Sequence, residues 1–326
     1  MGIAVVGTSN IADEFVLACR GAGVDVRAVY SRKKETGRSF AERHDIPLVV
    51  TDFDALCSGD FDCIYVATPN LFHFDQSKRL LESGVSVFCE KPITVTAEQY
   101  LQLRGIADGK GLFYDCAMMS AHSPGLDVIR RSIPRIGKIT GAHLIFFQRS
   151  SRLDRLYSGE LPNIFNMELQ AGALMDLGVY NIYAALELFG KPLSADSKTS
   201  FHSCGCDYSG SAIFDYGDFH AVLSWNKFAD SPAPSVITGE NGWISISSVS
   251  QFRGIRLHTK DSDCELYSDD VSKVGIMAYE ASYMKSMLML ASEERLKNAV
   301  YSEMKDCTLS AAEIMDGIRK SNGFPF

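Results

Sequence analysis

No apolar run in this chain of 326 residues approaches the about 20 residues needed to cross a bilayer. The opening MGIAVVG has no basic stretch ahead of its apolar residues, so a buried strand is expected there rather than a secretory leader. Gly2 is followed by Val6 at the position where a myristoylation signal needs Ser or Thr. Positive charge is not in excess either. The net charge of −8 and the pI near 5.4 exclude a general binder of nucleic-acid backbones. A disulfide framework is also lacking. The nine cysteines are odd in number, and Cys19, Cys63, Cys89 and Cys116 fall inside apolar runs, where thiols act as small hydrophobes. Cys204 and Cys206 form a Cys-x-Cys without a second pair, and no metal site is expected. There is no internal repeat and no low-complexity segment. A cytoplasmic location with neither nucleic acid nor membrane as partner is the resulting expectation.

What the chain does have is a composition of 46% hydrophobic and 22% charged residues, enough for a packed core, and a length that suits two domains. The first 120 residues alternate short β-branched runs with amphipathic stretches. Strands are expected at Ile3–Val6, Val26–Tyr30, Leu48–Val50, Cys63–Ala67, Val85–Cys89 and Leu112–Cys116, with helices between them. Strands that are apolar throughout are buried on both faces, which requires a parallel sheet with helical crossovers. Ligands of such a doubly wound sheet bind at the carboxyl ends of its strands.

After about residue 125 the texture changes to long alternating, aromatic-rich runs such as Gly141–Arg149, Ser211–Trp225 and Trp243–Leu257, broken by turn signals at Tyr216-Gly217-Asp218 and Glu240-Asn241-Gly242. Helices are expected at Ala173–Phe189, Ala278–Leu290 and Ser310–Lys320. The expected fold class is therefore α/β: an N-terminal doubly wound (Rossmann) domain at 1–122, and an α+β domain with a large, mostly antiparallel sheet at 123–326.

The stretch GTSNIA, comprising Gly7, Thr8, Ser9, Asn10, Ile11 and Ala12, follows a strand and opens a helix. It approximates the glycine fingerprint of a dinucleotide site, with Gly7 for the tight turn and the small residues Ser9 and Ala12 in place of later glycines. The six residues alone leave a cofactor site and an ordinary strand-to-helix turn both open. The end of the second strand separates them. A site for NAD offers a carboxylate there to the ribose 2′-hydroxyl, whereas this chain reads Tyr30-Ser31-Arg32-Lys33-Lys34. Cations at a helix start oppose the helix dipole, so Ser31, Arg32 and Lys33 favour the 2′-phosphate of NADP over NAD. Two further strands end in polar, proline-containing tips. One carries Thr68, Pro69, Asn70 and His73, and the other Glu90, Lys91 and Pro92. A lysine at a buried strand tip is costly to desolvate and is thereby tuned toward proton transfer, although pairing with Glu90 would explain it equally well.

The fingerprint, the ATPN-x-x-H and EKP tips, and the helix QAGALMDLGVYNIY with its glycine and aspartate occur in order, and together they resemble the Gfo/Idh/MocA family of oxidoreductases. The chain resembles in particular its dihydrodiol dehydrogenase and NADP-dependent xylose dehydrogenase branch. The resemblance implies a two-domain dehydrogenase with its active site between the domains. It places Lys91 as the catalytic lysine, Pro92 after a cis peptide bond, and Pro69, Asn70 and His73 along the cofactor. It gives Asp176 and Tyr180, four apart on one helix face, the remaining catalytic positions. Tyr180 stands where much of the family has histidine. Asp115 and Ser120 also depart from the commonest pattern of glutamate and arginine.

The reaction expected is reversible hydride transfer between NADP, or NAD, and a sugar, polyol or related hydroxy or carbonyl compound. Lys91, with Asp176 and Tyr180, would handle the proton. Arg152 and Asn163 are expected to touch substrate, and Tyr157 and Phe165 to stack on it. The alternatives are a catalytically silent sensor or scaffold, and a redox-assisted glycosidase or lyase holding NAD tightly. An exposed face on the second domain's sheet predicts a homodimer or higher homo-oligomer.

Overall fold

The computed structural model describes residues 1–268 and 270–326. They form two compact units, Met1–His122 with Ser272–Leu309, and Ser123–Val271 with Ser310–Phe326.

The first unit holds a six-stranded parallel sheet: β1 (Gly2–Val6), β2 (Asp25–Tyr30), β3 (Leu48–Val50), β4 (Cys63–Val66), β5 (Val87–Glu90) and β6 (Tyr114–Ala117). Its strand order, 3-2-1-4-5-6, reverses direction between β1 and β4, where a doubly wound sheet opens its ligand crevice. Val6 pairs with Tyr30 on one side and Val66 on the other, so Gly7, Ser31 and Ala67 end three adjacent strands at one level. β1, β4 and β5 are buried throughout, in keeping with sequences that are apolar except for Glu90 at the end of β5. The crossovers are α1 (Asn10–Ala22), α2 (Lys34–Arg43), the short α3 (Phe53–Cys57), α4 (His73–Glu82) and α5 (Ala97–Lys110).

The second unit carries α6 (Pro124–Ser132), β7 (Ile139–Phe147), α7 (Leu153–Tyr157), α8 (Val179–Phe189), and then β8 (Ser194–Phe201), β9 (Asp207–Asp215), β10 (His220–Asn226), β11 (Ser235–Gly239), β12 (Gly242–Ser248), β13 (Arg253–Thr259) and β14 (Ser262–Tyr267). The eight strands run 14-13-12-11-7-10-9-8 and are antiparallel except for the β7–β10 pair. The inner face of this sheet buries Leu144, Phe214, Leu223, Trp225, Ile237, Ile244 and Leu257. The outer face is more polar than the sequence suggested. His143, Ser224 and Ser211 form a hydrogen-bonded row there, beside half-exposed Ile213 and Trp243.

Three helices close the chain: α9 (Lys273–Met289), α10 (Ser292–Leu296) and α11 (Ala299–Asn322). The expectation that everything from 123 onward belongs to the second domain needs correction here, because Ser272–Leu309 is part of the first unit. The physical reason is the apolar face of α9. Ile276, Met277, Ala281, Met284 and Met287 are buried, and the helix packs on α1. α11 begins in the first unit and ends in the second.

Candidate active site

In the first unit the predicted cofactor residues converge on one edge of the sheet. Gly7 has φ +114°, and a Cβ there would lie 2.5 Å from the Ala67 carbonyl oxygen, so only glycine permits the turn. Its amide donates to the Tyr30 carbonyl at 3.1 Å. Ser9 occupies the N-cap position of α1 but its side chain does not cap the helix. The first amides of a 13-residue helix are thus left to an anionic ligand, such as a pyrophosphate. The one carboxylate in that first turn, Asp13, is engaged by Arg43 at 2.8 Å and His44 at 2.6 Å, so it does not repel an anion freely. These features fit a dinucleotide. Thr8 and Ile11 are half-buried beside this turn, and Asn10 is exposed.

At the end of β2, Ser31 is buried. Its hydroxyl donates to the Lys33 carbonyl at 2.9 Å and lies 2.6 Å from the Thr36 hydroxyl, which shapes the turn. Arg32, Lys33 and Lys34 are exposed, and Arg32 lies over the Phe72 ring at 5.5 Å. A guanidinium held this way has its donor edge available to a phosphate.

The tips of β4 and β5 are fastened together by His73. Its Nδ1 lies 2.9 Å from the Pro92 carbonyl oxygen and its Nε2 2.7 Å from that of Thr68. Burial lowers its pKa against the pull of those two carbonyls, so the ring is neutral and donates to one of them at a time. His73 is 1% exposed, which makes it a brace beneath the tips rather than part of their ligand-facing surface. The Thr68 hydroxyl donates to Gln76 Oε1 at 2.7 Å, and Pro69 and Asn70 are half-buried at the same turn.

The Lys91–Pro92 peptide is cis. Glu90 is buried, receives the Tyr65 hydroxyl on one oxygen, and accepts the Lys91 backbone N–H at 3.1 Å on the other. Burial pushes the Glu90 carboxyl up, with the Lys91 and Lys273 charges and the Tyr65 hydroxyl pulling the other way. Glu280 of α9, which no sequence motif marks out, adds to this cluster. It is 1% exposed, and neither carboxyl oxygen has a hydrogen-bond partner among the described residues. Burial, reinforced by the charge of Glu90, holds it well above the usual carboxylate range. Half-buried Lys91 therefore directly follows the strand end that carries buried Glu90.

In the second unit, Asp176 lies within a π-helical turn, Leu174–Gly178, that leads into α8. Such turns widen the helix and re-aim its side chains, and they are frequent at functional sites. Lys227, at the end of β10, is 4% exposed and donates to Asp176 Oδ2. Asp207 Oδ2 accepts the Leu174 amide at 2.6 Å. Gly172, with φ +121°, makes room for this carboxylate, since a Cβ there would fall 1.8 Å from Asp207 Oδ1. Burial pushes the Asp207 carboxyl up to about 7, against the charge of Lys227. Tyr180 is 7% exposed and packs edge-on to Phe146 at 5.6 Å. The polar stripe of this helix is not a solvated face: Tyr183 and Asn181 are buried, Asn181 donates to the Ser224 carbonyl at 2.8 Å, and Glu187 pairs with Arg130.

Arg152 and Asn163 are exposed, at the start of α7 and in a short 3-10 turn that follows it. Tyr157 is 63% exposed. Phe165 overturns its expectation: it is fully buried with Leu153, Leu156 and Cys206, and has no face to offer a sugar. Asp115 and Ser120 are interior as well. Asp115 accepts the Tyr283 hydroxyl at 2.5 Å, and burial lifts its carboxyl to about 7. Lys227 was the main omission. A single lysine between Asn226 and Phe228 at a strand end was its only sequence signal.

Fold and site together define a dinucleotide-binding unit joined to a unit built on an open, mostly antiparallel sheet. Comparison with known proteins makes this specific. Residues 1–117 match the model of an oxidoreductase family with an NAD-binding Rossmann fold, and residues 134–245 match the GFO/IDH/MocA C-terminal domain. The chain is 31% identical to scyllo-inositol 2-dehydrogenase (NADP(+)) IolU of Bacillus subtilis, over 99% of its own length and 97% of that protein's. It is 30% identical to trans-1,2-dihydrobenzene-1,2-diol dehydrogenase of Xenopus tropicalis, over 75% of this chain and 74% of the other. The fold superposes on KijD10, a 3-ketoreductase from Actinomadura kijaniata solved with NADP and TDP-benzene, with a TM-score of 0.83 at 20% identity, covering 99% of this chain and 98% of that one. The chain belongs to the Gfo/Idh/MocA oxidoreductase family. It is an NAD(P)-dependent oxidoreductase, as its sequence had implied.

Proposed function

We propose that the protein exchanges a hydride between NADP and a secondary hydroxyl, or the matching carbonyl, of a sugar, cyclitol or related polyol. The observation that carries this reading is the convergence of the Gly7 turn, the basic Ser31–Lys33 turn and the Lys91 tip along one edge of the parallel sheet. The relatives support the substrate class: one is a scyllo-inositol dehydrogenase, another a dihydrodiol dehydrogenase, and a third, 26% identical, a D-xylose 1-dehydrogenase (NADP(+)) of Haloferax volcanii.

The Gly7 turn and the amides opening α1, from Ser9 to Ile11 with Thr8 alongside, hold the pyrophosphate. Ser31, Arg32 and Lys33 hold the 2′-phosphate by charge-assisted hydrogen bonds. Thr68, Pro69 and Asn70 form the wall between these turns and the Lys91 tip, and His73 keeps that wall fixed to Pro92. NADP, when bound, supplies the carbon that accepts or gives the hydride. Lys91 Nζ takes the hydroxyl proton in oxidation and returns it in reduction, acting as general base and general acid in turn. Glu90, pinned to the Lys91 amide, fixes the backbone from which that side chain extends. Tyr180 and Asp176 donate to and accept from substrate hydroxyls, with Lys227 holding the Asp176 carboxylate in place. Arg152 and Asn163 add outer contacts.

The test is a screen of aldoses, polyols, cyclitols and dicarbonyls with NADP+ or NADPH, using wild type and Lys91→Ala. Activity lost by at least about 100-fold in the variant, with NADPH binding retained, is the expected result. Activity that survives the substitution removes Lys91 from the chemistry. NADPH binding without turnover on any substrate would instead favour the silent sensor. A cytoplasmic enzyme that self-associates through the sheet face bearing Ile213 and Trp243 completes the reading. Among the described residues no helix is long and apolar enough to cross a membrane. A monomer by light scattering at micromolar concentration would overturn the assembly.

A further inference from the structure

The turn joining β8 to β9 reads Phe201-His202-Ser203-Cys204-Gly205-Cys206-Asp207. The Cys-x-Cys pair by itself lacks a third ligand. The folded turn supplies one: His202 Nδ1 lies 3.1 Å from Cys204 Sγ, Cys204 Sγ lies 3.3 Å from Cys206 Sγ, and all three donor atoms fall within 4.8 Å of one another. We propose that His202, Cys204 and Cys206 form a binding site for zinc, a thiophilic d10 cation, with one coordination position left open.

The turn is already built for this. The His202 amide donates to the Cys206 carbonyl at 2.8 Å and the Gly205 amide to the His202 carbonyl at 2.9 Å, so the three ligands project from a closed loop. The Cys204 amide points at His202 Nδ1 at 3.3 Å, which places the ring in the tautomer whose Nδ1 lone pair is unprotonated. A metal takes that same lone pair in place of the long amide hydrogen bond. Cys206 is fully buried against Leu153, Leu156 and Phe165, and the His202 ring lies edge-on to Phe228 at 5.6 Å, so two of the three ligands are held by packing. Cys204 is exposed and gives the ion a way in.

In a tetrahedral site with Zn–S bonds of about 2.3 Å and a Zn–N bond of about 2.0 Å, two sulfurs lie about 3.8 Å apart and a sulfur and nitrogen about 3.6 Å. The observed separations are a few tenths of an ångström shorter, within the reach of a thiol rotation. As the two S–Zn bonds form, each thiol gives its proton to solvent, and the neutral imidazole donates its lone pair. Two protons are released, no electrons move, and the two thiolates balance the 2+ charge of the ion, so the centre is neutral overall. Because the ion displaces both thiol protons, uptake weakens as pH falls. The open position belongs to water or a small anion.

The site also has a mechanical consequence. Phe228 packs on His202, Phe165 and Tyr208, and follows Lys227 directly in the chain. Asp207, the residue after Cys206, holds the Leu174 amide at the start of the π turn. An ion at the β8–β9 turn would fasten the strand ends that carry Asp207 and support the Lys227–Asp176 pair.

The experiment uses full-length protein, reduced, stripped of metal and kept anaerobic, titrated with cobalt(II) as a spectroscopic probe and back-titrated with zinc. One equivalent of cobalt giving a thiolate-to-metal charge-transfer band that zinc abolishes is expected. Cys204→Ser, an exposed position where folding is not at stake, should lose the band, and His202→Ala should weaken binding by at least tenfold. The proposal is overturned by a wild-type spectrum without the band, by a band unchanged in Cys204→Ser, or by two thiols that remain oxidised to a Cys204–Cys206 disulfide under reductant. None of these outcomes depends on whether the protein oxidises a polyol.

Discussion

Lys227, with 5% of its side chain exposed, donates its ammonium to the carboxylate of Asp176 inside the π turn that opens α8. A buried ammonium is stable only where a partner and further acceptors offset its desolvation. The pair therefore fixes the direction in which the Asp176 carboxylate points. The π turn and the ion pair explain each other: the extra residue in the turn carries Asp176 to the end of β10, and Lys227 holds it there.

Lys227→Met should keep the fold and the cofactor site while lowering kcat/KM by about 10- to 100-fold, a loss of about 1–3 kcal/mol. This is below the range for a fully buried pair because 29% of the Asp176 side chain is exposed. Lys227→Arg should recover part of the activity. Steady-state kinetics on the best substrate check this, and equal activity in Lys227→Met would show that the pair is only a structural tie.

The basic turn after β2 makes a cofactor prediction. Arg32→Glu places a carboxylate beside the position proposed for the 2′-phosphate, and should raise KM for NADP by about 30- to 100-fold, or about 2–3 kcal/mol of charge-assisted bonding. The KM for NAD should hold steady or fall. Losing the exposed Arg32–Phe72 contact costs only about 0.5–1 kcal/mol, too little to account for such a shift by destabilisation. Unchanged selectivity between the two cofactors would remove Arg32 from the site.

Gly7→Ala should abolish tight NADPH binding and cost about 1–3 kcal/mol of stability. The residue sits at φ +114°, and its new Cβ would meet the Ala67 carbonyl oxygen, a backbone atom that cannot swing away. Fluorescence titration with NADPH and thermal unfolding read the two effects separately. Wild-type affinity in this variant would mean that the turn does not approach the cofactor.

The parallel sheet was legible because its strands are continuously apolar, and a chain can bury such strands only between two helical layers. The Gly7 turn was legible as a place where only glycine fits, because a glycine between a buried strand and a helix marks a close backbone approach. Lys227 and Glu280 were not, since lysine and glutamate in an apolar stretch usually mark its solvent face, and nothing local reveals that tertiary packing has covered them. The π turn escaped notice because one extra residue in a helix alters its hydrogen-bond register without altering its composition. Phe165 was misread for the opposite reason: a residue in a loop rich in polar side chains looks exposed until the β8–β9 turn closes over it with Cys206. Residues 272–309 were assigned by their position in the chain, whereas the apolar face of α9 assigns them to α1.

Glu280 makes the last prediction, and it concerns stability rather than turnover. Its carboxyl is buried without a hydrogen-bond partner among the described residues, and burial together with the Glu90 charge holds it protonated in the fold at pH values where the unfolded chain has ionised it. The folded state then binds the extra proton, so the group's contribution is fully present below the ordinary glutamate pKa and is lost as pH rises toward the raised folded pKa. Glu280→Gln keeps the shape of the neutral acid and removes the titration. The variant and wild type should unfold at similar temperatures near pH 4, and the variant should become the more stable of the two by a margin that grows up to neutral pH and beyond. Thermal melts of both proteins across that range provide the check. A margin that instead turns against the variant as pH rises would mean that Glu280 is ionised in the fold and stabilised by the charge of Lys273.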